Sequence, residues 1–479
     1  FKLLRFQLQL SSFRLYCTST IPSGLKGIHV MALKISCTAL RGKIFSNWAK
    51  TYQCQPELYF IPESIDQLRD VIKLATIHKK VVRVVGCGHS PSDITCTSDY
   101  MISMEKLSGI LEVDVDRNQI KVQGGVKIER LHKVLEEYGL AISNIGSVSD
   151  ITLSGAIATG THATGVDFGM LATNVLEIEL LLANGELMVC SRHQNKEIFL
   201  CALCNLGALG VVVSIKLQCE KSFKLEQQQS SCTLDEVLDN LENEVRSCEH
   251  FRFGWFPHTN DAVVWKCNRI TKPKVDSYNW FWDSIVGYHS LQFLYWLSSY
   301  FDSLIPWINR TFFGLLFRKP KYRVDDSYKV FNFECLFKQY VTEWAIPREN
   351  TGIVLRQLRD WLNTNNFYAH YPVEVRFVKR DDVYLSQNYE RDTCHINIVM
   401  YRPYGKFIPH DRYWKAYEEI MLAAKGKPHW AKAHSLTYKE LSQMYPQYDK
   451  FCKIRDELDP NRIFINRYLT QVLFEGREE

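Results

Sequence analysis

The chain has 479 residues, 46% hydrophobic and 23% charged, with 58 basic and 53 acidic side chains and a net charge of +5. That balance fits a globular protein of about two to four domains and excludes a disordered or fibrous chain. No Lys/Arg run forms a basic stripe, so no nucleic-acid partner is expected.

The first 45 residues show little periodicity. Their opening is basic and Ser-containing (Lys2, Arg5, Arg14) and lacks acidic residues, the composition of a transit segment. The competing and slightly preferred reading is an untranslated or mispredicted extension, with Met31 as a candidate start. From Trp48 the chain becomes organised. Residues 62–75 read as an amphipathic helix, with Ser64 and Gln67 fitting a capping box. Val81–Val85 reads as a buried strand, broken by Gly86 and Gly88 into a tight turn that presents His89 and Ser90. Two glycines flanking one residue let backbone N–H groups approach an anion. No third Gly opens a helix, so the turn is not a Rossmann fingerprint. Strands are predicted at Gly109–Asp114 and Gln119–Gln123, and a helix at Lys127–Tyr138 closed by Gly139. A second small-residue run, 144–165, suits a backbone lying flat along an extended ligand. Leu176–Leu182 and Leu187–Cys190 are predicted to form a hairpin with Asn184-Gly185 in a type I′ turn. Residues 205–214 turn into another buried strand. The alternation from 52 to 222 reads as one α+β domain.

Beyond it, Asp235–Cys248 reads as a helix, and Phe251–Phe256 and Ala262–Cys267 as strands. Residues 284–301 carry no Asp, Glu, Lys or Arg and are rich in aromatics. Their length touches that of a membrane span, but His289, Gln292 and several serines interrupt them, and Asp302, Asn309 and Arg310 follow. An interfacial aromatic patch is the preferred reading. On a strand over 371–377, Glu374 and Arg376 share one face and Val373, Val375 and Phe377 the other. By spacing alone, such a pair is more often a neutral surface pair. Residues 428–434 hold His429 and Lys432 three apart, a spacing that shares one helical face. No carboxylate accompanies them, and His429 and His434 are five apart, so no metal site is expected. The 15 cysteines show no zinc spacing; Cys201 and Cys204 lack a second pair. They read as mostly reduced thiols.

Gly86-Cys-Gly-His-Ser90, the run Ser154–Gly165 and Leu206-Gly-Ala-Leu-Gly210 together resemble the PCMH-type FAD-binding domain of the vanillyl-alcohol-oxidase superfamily. Residues 255–259, 370–377, 400–405 and 428–434 resemble the aldonolactone oxidoreductases within it, and the animal branch above all. The resemblance implies a two-domain α+β protein: an FAD-binding domain over 52–222 and an α+β substrate (cap) domain over 223–479 that carries the aromatic apolar segment 284–317. Residues 1–45 lie outside it. It implies FAD joined covalently through His89. The pyrophosphate would be cradled by Gly86, Cys87, Gly88, Ser90, Pro91 and Ser92, and the rest of the cofactor lined by Ser149, Ser154, Gly155, Thr159, Gly160, Thr161 and His162. Cys87 stands where relatives often have Gly, and only local strain is expected there. Glu374 would hydrogen-bond the lactone hydroxyls and orient C2–H. Arg376 would stabilise developing negative charge. Lys432, in one turn with His429, would supply positive charge near the flavin pyrimidine. Residues 456–466 would return the chain to the FAD domain. The implied activity is oxidation of an aldono-1,4-lactone at C2 by O2, giving ascorbate and hydrogen peroxide, at the endoplasmic-reticulum (microsomal) membrane. The alternatives are a dehydrogenase that passes electrons to cytochrome c, and a non-catalytic FAD-binding membrane scaffold.

Overall fold

The computed structural model describes residues 36–275, 287–332 and 337–476. Among these, the N-terminal half builds two large sheets beside two small two-stranded ones. The first orders Thr38–Leu40, Leu58–Ile61, Tyr100–Ser103 and Val82–Val85; its last two pairings are parallel. The folded chain therefore reaches back into the expected 1–45 extension, because Thr38–Leu40 lies antiparallel along Leu58–Ile61. Residues 1–35, including Met31, lie outside the described residues. The second sheet is antiparallel and orders Leu187–Ser191, Val175–Leu181, Val211–Gln218, Gln119–Gln123 and Ile110–Asp114.

The helix Ile65–His78 packs on the first sheet through Leu68, Val71, Ile72 and Ala75, all fully buried. Removing each larger apolar side chain from water is worth about 1.5–3 kcal/mol. Ser64 caps it by accepting from Gln67 N. The Gln67 side chain reaches back to Glu63 N rather than to Ser64, so the capping box is displaced by one residue.

The C-terminal half is dominated by one sheet of eight strands, in the order Lys321–Asp326, Lys224–Thr233, Asp261–Ile270, His250–Trp255, Val373–Val378, Thr393–Tyr401, Gln339–Pro347 and Lys427–Pro428. Many bonds join the halves, two sets of them between backbone segments far apart in sequence. Gly165 N donates to Phe377 O at 2.7 Å and Phe377 N donates to Thr164 Oγ1 at 3.1 Å, which stitches the glycine-rich run to the substrate sheet. The tail returns as expected. Val82 N donates to Ile463 O at 2.6 Å. Buried Arg83 donates to Phe464 O at 2.8 Å, Leu206 O at 3.0 Å and Gly207 O at 3.1 Å. Burial draws that guanidinium down to about 10, and the carbonyls replace the water it has lost.

Three sequence expectations change, and the disfavoured single span is absent among the described residues. The hairpin turn is not type I′, which needs positive φ at both central residues; only Gly185 has it, at +84°. Leu182 O accepts from Gly185 N and Leu182 N donates to Glu186 O, so a wider turn ends on a left-handed glycine. The 235–248 helix is two short helices, Leu234–Asp239 and Leu241–Arg246, divided at Asn240. The 144–165 run is not extended throughout, since Leu153–Ala158 is helical. The aromatic segment is not one span: Leu291–Ser298 is an eight-residue helix, the chain turns, and Ile305–Phe312 is a second. Residues 284–286 lie outside the described residues. No helix among the described residues is long and apolar enough to cross a membrane.

Candidate active site

A cavity of about 730 Å³ opens between the two halves, within the range of cofactor and substrate pockets. One wall comes from the first glycine turn: Gly86, Cys87, Gly88, His89, Ser90 and Pro91 all line it. Gly86 is required by close approach, because a Cβ there would stand 2.1 Å from Thr152 Oγ1. Cys87 does not have the positive φ of a strained residue, so the expected local strain is absent. The His89 ring stacks on Trp48 with centroids 5.6 Å apart and places Nε2 3.6 Å from Asp150. Burial outweighs Asp150 and pulls the imidazole below its usual value, which favours the neutral ring. Further along the same wall stand Gly146, Ser147, Thr152, Gly155, Thr159, Thr161 and His162. Ser92, Ser149, Ser154 and Gly160, expected at the cofactor, do not line the cavity. Ser92 is buried beneath its turn. Ser149 O accepts from Glu129 N, and the Ser154 Cβ lies toward Gly124. The helical turn at 153–158 presents Gly155, Ala156 and Ala158 to the cavity and turns Leu153, Ser154 and Ile157 away.

The facing wall is assembled by sheet register. Gly254 pairs with Glu374, Glu374 with Asn397, and Asn397 with Glu343. The neighbouring row is Arg252, Arg376 and His395. Adjacent strands lie about 4.8 Å apart, so residues remote in sequence become lateral neighbours. Glu374 and Arg376 do share the cavity face, but as an ion pair. Arg376 Nε and Nη2 donate to the two Glu374 oxygens at 3.1 and 2.7 Å. Arg252 Nη1 donates to Glu374 Oε1 at 3.0 Å, and Arg376 Nη2 also donates to Ser147 Oγ at 2.8 Å. Glu374 is therefore not a carboxylate left free for substrate; Oε2 keeps one accepting site. Burial pushes its carboxyl up, and Arg376 and Arg252 overcome this to hold it below the ordinary range.

Glu343 is the centre of a second cluster. His162 Nε2 lies 2.5 Å from Glu343 Oε1, His395 Nδ1 lies 3.5 Å away, and Lys432 Nζ is 3.9 Å from Oε2. His162 Nδ1 donates to Ala163 O at 2.9 Å, which turns Nε2 to the carboxylate. Burial raises the Glu343 carboxyl, and His162, His395 and His429 together bring it well below the usual carboxylate range. Burial holds His395 and His429 neutral, each down to about 3. His162, Glu343 and His429 present ligand atoms within 4.8 Å of one another. The carboxylate that the 428–434 run lacked in sequence is thus supplied by Glu343 from a neighbouring strand, with His162 in place of His434. His434 lies away from the cavity, in contact with Tyr468 at 3.2 Å.

Arg252, Ser147, Asn397 and Glu343 were not singled out from the sequence. Glu343 alone carried a signal: a carboxylate inside the otherwise uncharged strand Gln339–Pro347. Asn397 Oδ1 is buried without a partner and lines the cavity, an acceptor that a ligand N–H or hydroxyl would satisfy. With the Gly86 turn and the positive charge of the facing wall, this fits an elongated anionic cofactor and a hydroxylated substrate.

Residues 215–472 match the family model described as D-arabinono-1,4-lactone oxidase, and residues 56–191 match that of an FAD-binding domain. The chain belongs to the aldonolactone oxidase family. L-gulonolactone oxidase of Scyliorhinus torazame is 48% identical over 434 residues, covering 90% of this chain and 99% of that protein. The Bos taurus L-gulonolactone oxidase is also 48% identical, covering 91% and 99%. An L-gulono-1,4-lactone dehydrogenase of Mycobacterium tuberculosis is 34% identical over 90% and 99%. Among solved structures, a solvent-stable cholesterol oxidase superposes with a TM-score of 0.76 at 17% identity, over 92% of this chain and 99% of its own. That likeness shows the shared two-domain fold. This member of the aldonolactone oxidase family is thus an FAD-dependent oxidoreductase, and the cavity is where its two family-matched regions meet.

Proposed function

We propose that the chain oxidises L-gulono-1,4-lactone at C2 with O2 as electron acceptor, giving a 2-keto lactone that enolises to L-ascorbate, and hydrogen peroxide. The observation that carries this reading is the Glu374–Arg376–Arg252 network in the cavity of a chain 48% identical to L-gulonolactone oxidases. FAD, when bound, supplies the two-electron acceptor. The protein supplies position and charge. Arg252, Arg376 and Lys432 face two carboxylates, Glu374 and Glu343, which leaves a positive surplus where negative charge develops. The open Glu374 lone pair and Asn397 Oδ1 accept lactone hydroxyls and fix which C–H faces the flavin. His89, neutral and at the cavity wall, is the attachment point we assign to FAD. Lactone-dependent turnover in air, read as peroxide, tests the acceptor; failure without added cytochrome c would overturn the oxidase reading. Flavin should precipitate with the acid-treated protein and become extractable in His89→Ala.

The same reading extends to a membrane surface. Phe293, Tyr300, Phe301, Trp307, Tyr404 and Phe407 are each more than half exposed, and Lys406 lies 3.3 Å over the Tyr300 ring. Aromatics beside a basic residue suit an interfacial contact, and we place it at the endoplasmic-reticulum membrane. The protein should float with anionic vesicles, and Phe301→Ser with Trp307→Ser should release it. Flotation unchanged by that pair would remove this patch from the membrane.

A further inference from the structure

Cys54 and Cys96 face each other beside the flavin cavity, and nothing in the chemistry above uses them. Leu58–Ile61 pairs in parallel with Tyr100–Ser103, Leu58 opposite Tyr100. Upstream of both strands the two chains stay together: Glu57 N donates to Ser98 O at 2.8 Å and Leu58 N to Asp99 O at 3.3 Å. Cys54 and Cys96 follow just upstream, with their side chains in hydrogen-bond contact. The Cys96 thiol donates to the Cys54 sulfur, and so does the backbone N–H of Thr97. The Cys96 bond is the larger effect; with Thr97 it outweighs burial and draws Cys54 down to about 7. Cys96, which gives its proton to that bond, is pushed up. Both residues are partly exposed. Thr95 lines the cavity, and the Cys96 carbonyl is held by Asn466 Nδ2 at 2.9 Å. The pair thus sits one residue behind the cavity wall, on a pinned backbone.

We infer that Cys54 and Cys96 form a peroxide-reactive dithiol, with Cys54 as the attacking thiolate and Cys96 as the resolving thiol. Cys54 sulfur attacks one oxygen of hydrogen peroxide, the O–O bond breaks, and the other oxygen leaves as hydroxide, which takes up a proton to become water. Cys96 sulfur then attacks the Cys54 sulfenic acid, the S–O bond breaks, and the hydroxyl leaves with the Cys96 proton as a second water. Two thiols are oxidised by two electrons, and one peroxide is reduced. Supply of peroxide by the enzyme itself rests on the oxidase reading proposed above; the thiol chemistry does not.

The test treats the flavin-loaded protein with reagent hydrogen peroxide, then alkylates and maps its peptides. The expected result is a linked Cys54–Cys96 peptide pair, two fewer alkylated thiols and a mass about 2 Da lower, all reversed by a reductant. Cys96→Ser should instead trap a dimedone adduct on Cys54, and Cys54→Ser should lose both signals. If both cysteines of the wild-type protein remain alkylated while other thiols oxidise, the inference is overturned; this arm needs no variant to fold. A second arm supplies lactone and air without reagent peroxide. Disulfide there, abolished by catalase, is expected. Its absence, with the first arm positive, counts against the oxidase reading and leaves the dithiol standing.

Discussion

On the cofactor side of the cavity the wall is mostly backbone: Gly86–Pro91, Gly146 and Gly155, with small side chains between. On the substrate side it is side chains, contributed by four neighbouring strands and locked into two polar rows by register. The first wall works by letting a ligand come close. The second works by holding charges that cannot relax, since Glu374, Arg376 and Glu343 are largely removed from water and held by one another and by His162, His395, Lys432, Arg252 and Ser147. A change to the first wall should therefore act on cofactor binding, and a change to the second on turnover and on stability against pH.

Arg376→Ala should separate the two most sharply. It removes a preorganised donor and leaves Glu374 on Arg252 alone, at a cost of about 3–4 kcal/mol, or on the order of 10²–10³ in the rate of flavin reduction. Arg376→Lys keeps the charge but loses the two-pronged contact, and should recover only part. Stopped-flow reduction by L-gulono-1,4-lactone in flavin-loaded protein reads this. A near-wild-type rate in Arg376→Ala would show that the substrate wall is not where the chemistry occurs.

Gly86→Ala probes the other wall. The added Cβ meets Thr152, and relieving such a clash by backbone shift costs about 1–3 kcal/mol. The loss should appear in FAD content of the purified protein, with the rate of the fraction that retains flavin close to wild type. Equal damage to flavin content and to rate would erase the distinction between the walls.

The smallest effect per group is titration. His395 and His429 are neutral in the fold, each down to about 3, whereas in the unfolded chain they protonate near the ordinary 6.5. Between those values the unfolded chain binds more protons, so stability rises with pH and is lost as pH falls from about 6.5, by up to about 1.4 kcal/mol per pH unit per histidine. Urea unfolding at pH 7 and pH 5 measures the slope. His395→Asn should flatten it, whereas Gly86→Ala should leave it unchanged.

Much of the molecule was legible in the residues alone. Val82–Val85, Gln119–Gln123 and Ile128–Glu137 fall at or within one residue of the expected bounds, because periodicity and capping are local. The Gly86–Pro91 turn was found for the same reason: two glycines fix a backbone shape with no help from the rest of the chain. Where the reading stopped, a non-local term took over. Ser149 and Ser154 were assigned by their place in a small-residue run, but neither lines the cavity, and Ser154 sits on a short helix that points its Cβ toward Gly124. The Asn-Gly hairpin took a different turn because only its glycine reached positive φ. Glu374 and Arg376 were correctly placed on one face, since alternation along a strand is intrinsic. Their pairing with Arg252 and Ser147, and the meeting of Glu343 with His162, depend on which strands lie side by side. Sequence by itself determined the strand and helix pattern, the glycine turn and the facing pair. Only the tertiary structure decided the charge network, because strand order and register set lateral neighbours across more than a hundred residues, and no local propensity encodes them.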